Sequence, residues 1–74
     1  MNGSGVAGGI VRLRENCFVR DAPSASGAVL GVAKRGDALP LGGTESSGDW
    51  LSVAYLGGEG WVSRRFADRE WGSA

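Results

Sequence analysis

The stretch on which the fold turns is Trp50-Leu51-Ser52-Val53-Ala54-Tyr55-Leu56-Gly57-Gly58-Glu59-Gly60-Trp61-Val62. Leu51, Val53 and Tyr55 recur at every second position, with Trp50, Ser52 and Ala54 between them. That period of two belongs to a strand with one face buried. Gly57-Gly58-Glu59-Gly60 reads as a hairpin turn, and Trp61-Val62 as the start of a short returning strand. Parity then sends Leu51 and Val53 inward and turns Trp50 outward, beside the polar loop of residues 42–49. Tyr55 keeps the inward parity and belongs to the core or its rim.

The same pattern extends in both directions. Val11 and Leu13 alternate with Arg12 and Arg14; Cys17 and Val19 share one face of a strand whose other face carries Phe18 and Arg20. Asp21-Ala22-Pro23-Ser24 has turn chemistry, since Asp bonds to its own backbone and Pro fixes φ. Ala28-Val29-Leu30-Gly31-Val32-Ala33 is a short apolar run, and Lys34-Arg35-Gly36-Asp37 is a turn. Leu39 and Leu41 flank an outward-facing Pro40, which marks an edge or bulged strand. Ser63-Arg64-Arg65-Phe66 suits one short 3-10 turn. No segment offers ten residues at helical period. The expectation is an all-β chain of five to six short antiparallel strands, closed as a small barrel because an open sheet of this size cannot cover both faces. Residues 10–68 form the barrel, residues 1–9 a flexible leader and residues 69–74, with Trp71, a C-terminal tail. The Gly/Ser-rich ends resemble linkers.

Composition supports short elements joined by tight turns. Fourteen of 74 residues are glycine, well above the usual level of about 7%. Gly31, Gly36, Gly48, Gly57, Gly58 and Gly60 fall where turns are expected. The chain has no histidine and one cysteine. That removes His-activated nucleophiles, His-ligated metals and four-cysteine metal sites, so no metal or other cofactor is expected. Cys17 is expected in the core as a small hydrophobe. Eight basic residues balance eight acidic ones, which gives no push toward nucleic acid or membrane surfaces. No apolar run approaches 18 residues, so no membrane insertion is expected.

In this order the motifs resemble those of the bacterial SH3-like (SH3b) domain family. Cys17-Phe18-Val19-Arg20-Asp21-Ala22-Pro23-Ser24 resembles that family's Leu-Asn-Val-Arg-x-Gly-Pro-Ser opening. Val29-Leu30-Gly31, then Lys34-Arg35-Gly36 and Leu39, resembles its middle segment. Gly48-Asp49-Trp50-Leu51-Ser52-Val53 resembles Asn-Gly-Trp-Tyr-Lys-Val, and Gly57-Gly58-Glu59-Gly60-Trp61-Val62-Ser63 the closing Gly-x-x-Gly-Trp-Val-Ser. Phe66 stands at the family's usual Tyr. Phe18 and Ala22 depart from the pattern. Ser63 stands where eukaryotic SH3 domains place their groove proline, which argues against polyproline binding.

The resemblance implies an SH3-like barrel that binds rather than catalyses, and extracytoplasmic targeting of a larger protein to peptidoglycan or to a peptide ligand. Trp50 is the leading contact residue, because an exposed indole is a large rigid surface with one N–H donor. Phe66 either borders the groove or plugs the barrel end, and Phe18 either walls the groove or lies under the leader. Asp21 and Asp49, with Glu45 nearby, fall in loops around such a groove and would orient polar groups of the ligand. Arg12, Arg14, Arg20, Arg64 and Arg65 near aromatics make a basic patch of the kind seen in single-strand nucleic-acid binders, a reading the zero net charge disfavours. Trp61 is expected to be structural. The alternative function is a protein–protein or structural accessory barrel packing on a neighbouring domain, a homo-oligomer, or an engineered scaffold. An enzyme is not expected: Lys34 is the only lysine, and a chain of this size has little room for a water-excluded cleft.

Overall fold

Period-two alternation lets a strand bury one edge of its residues while the other meets water, and the computed structural model follows it closely. Its described residues are 9–43 and 48–70. They form seven strands: β1 (Ile10–Leu13), β2 (Cys17–Arg20), β3 (Val29–Ala33), β4 (Ala38–Pro40), β5 (Trp50–Tyr55), β6 (Gly58–Ser63) and β7 (Ala67–Glu70). There is no helix among the described residues. The all-β, SH3-like reading therefore holds. The closed barrel does not: the strands make two antiparallel sheets, ordered β4-β1-β7 and β3-β2-β6-β5. One seam joins them, where Leu41 bridges Val53 and the Gly42 N–H donates to the Ser52 carbonyl at 2.9 Å. Among the described residues no ladder runs between the free edges β7 and β3.

The core lies between the inner faces of the sheets. Val11, Leu13, Cys17, Val19, Ala33, Leu51, Val53, Val62 and Ala67 are buried together, with Leu39, Leu41 and Tyr55 packed against them. Leu13, Leu51, Val11, Val19, Val53 and Val62 are the largest fully buried side chains. Each contributes about 1.5–3 kcal/mol relative to exposure. The exposed ion pairs Arg12–Glu70 (3.3 Å) and Arg14–Asp68 (2.8 Å) are worth below about 1 kcal/mol each. Burial decides this fold. The expected inward residues of β1, β2 and β5 are all inward, and Cys17 is a buried free thiol.

Pro40 lies on an edge strand, as its missing N–H requires: β4 borders its sheet, with Pro40 exposed opposite Ile10. Trp61 is buried, in line with a structural role.

Three local expectations are corrected. The β5–β6 turn is Leu56-Gly57 alone, and β6 already starts at Gly58. Leu56 and Gly57 both have positive φ, 50° and 80°, the geometry of a two-residue turn whose twist matches the strands. Gly31, Gly58 and Gly60 are strand residues rather than turn residues. A Cβ on Gly60 would meet Val19 Cγ1 at 2.5 Å, and one on Gly31 would run into the Tyr55 hydroxyl. Close approach, not turning, explains glycine at those two positions. The expected 3-10 turn is a hydrogen-bonded turn over residues 64–66, in which the Phe66 N–H donates to the Ser63 carbonyl (3.1 Å). It leads into β7, an additional strand that alternation did not reveal. Leader residues 1–8, Glu45 and Trp71 lie outside the described residues.

Candidate functional site

On the outer face of the four-stranded sheet, cross-strand register builds a short aromatic floor. Trp50 begins β5 and pairs with Ser63 at the end of β6. Side chains directly opposite in an antiparallel pair share a face, so the small, buried serine lies beside the indole, which is half-buried rather than exposed as expected. Phe18 projects outward from β2, between inward Cys17 and Val19, and is 51% exposed. Phe66 arrives from the turn after β6 and is 39% exposed. These three aromatics, separated by up to 48 positions in the chain, line one open groove of about 250 Å³, together with Cys17, Ser63 and Ala25. Phe18 and Phe66 both line this groove.

Backbone contacts fix the turn that carries Phe66. Its carbonyl accepts from the N–H groups of Arg14 (2.7 Å) and Glu15 (3.3 Å), and the Arg64 N–H donates to the Asp49 carbonyl (2.7 Å). The Arg14 guanidinium donates to the carbonyls of Arg64 (2.8 Å) and Arg65 (3.1 Å), while Arg64 Nε donates to the Gly48 carbonyl (3.0 Å). Arg14 and Arg64 therefore clamp the turn and do not form a free basic patch. Arg12 is likewise paired, to Glu70.

Two other arginines line the groove itself, Arg20 and Arg65. Arg20 lies over the Phe18 ring, its guanidinium carbon 5.5 Å from the centroid, a cation–π contact. Its Nη1 also donates to the Gly27 carbonyl at 2.9 Å, which ties the loop of residues 21–28, and with it Ala25, to the groove rim.

The acidic residues expected to face a ligand are placed differently. Asp21 turns its Oδ1 onto the Ala28 N–H (2.8 Å), and its own N–H donates to the Ala28 carbonyl (2.9 Å). It closes its loop. Asp49 is exposed beside Trp50. Neither lines the groove. The sequence contained the signal for the arginines, since Arg65 adjoins Phe66 and Arg20 shares the outward parity of Phe18. Read as one undivided patch of five, they hid which two are free to face the groove.

Among the described residues no group of three or more His, Cys, Asp or Glu side chains is gathered as a metal site requires. No helix there is long and apolar enough to cross a membrane. The arrangement can hold an apolar group between rings and offer guanidinium N–H donors at the margin. Compared with known protein families, residues 15–68 match the family described as the bacterial SH3 domain. No curated protein and no solved structure matches the chain.

Proposed function

The chain belongs to the bacterial SH3 domain family and is a binding module, and we propose that its ligand is a peptide, foremost the peptide part of bacterial cell-wall peptidoglycan. One observation carries the proposal: Phe18, Trp50 and Phe66 come from three separate segments and converge on one groove. Aromatic side chains that line an open groove without being buried are typical anchors for a partner. In this reading Trp50 supplies the main contact surface, with Phe66 and Phe18 as the walls. Asp21 and Asp49 have a peripheral part, at the loops beside the groove. The module performs no catalytic step; it holds a larger protein at the wall, outside the cytoplasm, through the domain of residues 10–68.

The test is an NMR titration of the labelled domain with muropeptides, paired with a pull-down on purified cell walls. Shifts clustered at Trp50, Phe66 and Phe18, and retention lost in Trp50→Ala, are expected. Absence of both shifts and retention with the native domain would sink the proposal.

A second reading, docking on a neighbouring domain or a second copy, is favoured by one specific feature. β3 is an edge strand without charge or proline, and its Val29, Leu30 and Val32 are 50%, 43% and 45% exposed. Edges of this kind accept an added strand. A dimer by SEC-MALS that dissociates on Val32→Lys would favour it; a strict monomer at high concentration would count against self-pairing.

A further inference from the structure

The polarity of the groove says which end of a peptide it takes. Among the described residues its charged lining residues are Arg20 and Arg65, and no carboxylate of theirs lines it. Among the described residues the acidic groups nearest in sequence, Glu15, Asp21, Asp49 and Asp68, are exposed outside it; Asp21 is engaged by its own loop and Asp68 by Arg14. We propose that the groove binds peptides by a free carboxylate, such as a C-terminus, with the adjoining apolar side chain seated on Trp50 and Phe66. The inference rests on the peptide-binding reading above and narrows it.

Charge and geometry agree. A guanidinium presents five N–H donors in a planar fork that fits a carboxylate. Arg20 commits one of them to the Gly27 carbonyl and is held in place over Phe18, so the rest remain available from a pre-positioned group. Among the described residues the Arg65 guanidinium makes no hydrogen bond or ion pair, its turn being held instead through its backbone: its N–H donates to Ser63 Oγ at 3.1 Å and its carbonyl accepts from Arg14. A cation with no partner among the described residues, beside aromatic surface and in a domain where Arg12 and Arg14 both have acidic partners, is suited to pair with an anion. A volume of about 250 Å³ suits one or two residues of a chain end rather than a long polymer. The zero net charge also favours a single carboxylate over a run of phosphates, because polyanion binding needs many neutralising cations.

The experiment titrates the whole 74-residue chain with N-acetyl-Ala-Ala bearing a free carboxylate, and separately with the same peptide as its C-terminal amide. NMR shifts at Trp50 and Phe66 provide the readout. The acid is expected to bind about tenfold more tightly than the amide, as one well-formed charge-assisted contact gives. That ratio should shrink as salt is raised from about 0.05 to 0.5 M, since the groove is open to screening. Arg65→Gln should bring the ratio toward one, whereas Arg35→Gln, an equal change of charge in a turn outside the groove, should leave the ratio as it is. Equal affinity for acid and amide overturns the proposal while leaving peptide capture standing. So does a ratio insensitive to Arg65→Gln, or a preference for oligothymidylate over the acid. Failure of both peptides together with failure of cell-wall retention overturns the peptide-binding reading as well.

Discussion

Leu56 occupies the first position of the β5–β6 turn at φ 50°, with Gly57 following at 80°. The left-handed region brings an L-residue's Cβ against its carbonyl and costs about 1–2 kcal/mol. Glycine absorbs that cost at the second position; leucine does not at the first. Nor does leucine recover it by burial, because it is 84% exposed. If full burial of a leucine is worth about 2–3 kcal/mol, the hidden sixth returns roughly 0.3–0.5. Asparagine tolerates positive φ, and Asn-Gly is the preferred pair for such a turn. Leu56→Asn is therefore expected to stabilise the domain by about 0.5–1 kcal/mol. For a domain of this size that raises Tm by roughly 2–8 °C. Urea unfolding, followed by tryptophan fluorescence, should show a higher midpoint with an unchanged slope, the mark of a true stability change. Leu56→Ala separates the causes: it keeps the strain and loses only the small burial, so it should stay within about 0.5 kcal/mol of the parent. A Leu56→Asn variant no more stable than Leu56→Ala would refute the argument that backbone strain dominates at this turn.

Gly60→Ala should act in the opposite sense. The new methyl would meet Val19 Cγ1 at 2.5 Å, and Val19 is fully buried with a stiff χ1, so about 1–3 kcal/mol of stability is lost; an unchanged urea midpoint would show that the sheet yields freely. Arg14→Ala removes the donor to the Arg64 and Arg65 carbonyls. Global stability should fall by only about 1 kcal/mol, yet amide exchange at residues 64–66 should accelerate and peptide affinity drop, whereas slow exchange retained there would mean the backbone bonds suffice. Trp50→Ala should abolish cell-wall retention with a Tm within a few degrees of the parent, because Trp50 is outside the core cluster; a collapse of the fold would recast it as a structural residue.

Alternation was most informative where one face of a strand is buried. In β1 and β2 the charged positions had to face water, and with the apolar alternation of β5 the inward list Val11, Leu13, Cys17, Val19, Leu51 and Val53 follows directly, although the outward Ser52 is buried as well. It was weaker where neighbours decide. Ala67-Asp68-Arg69-Glu70 has no apolar alternation; it is a strand because its backbone pairs with β1, where Arg12 and Arg14 meet Glu70 and Asp68 across the ladder. Gly58 and Gly60 have turn composition and strand geometry, and at Gly60 β6 comes close to Val19 with no side chain intervening.

The same division holds for the site. The sequence by itself determined a small all-β domain without histidine chemistry, and the outward parity of Phe18, Trp50 and Arg20, because these depend on composition and on a period local to each strand. Only the tertiary structure decided that those residues meet Phe66 and Arg65, that two sheets joined at one seam replace a closed barrel, and that Arg14 and Arg64 are spent on holding a turn. Those outcomes depend on pairing between segments dozens of residues apart, and no local period encodes which carbonyl a guanidinium will find.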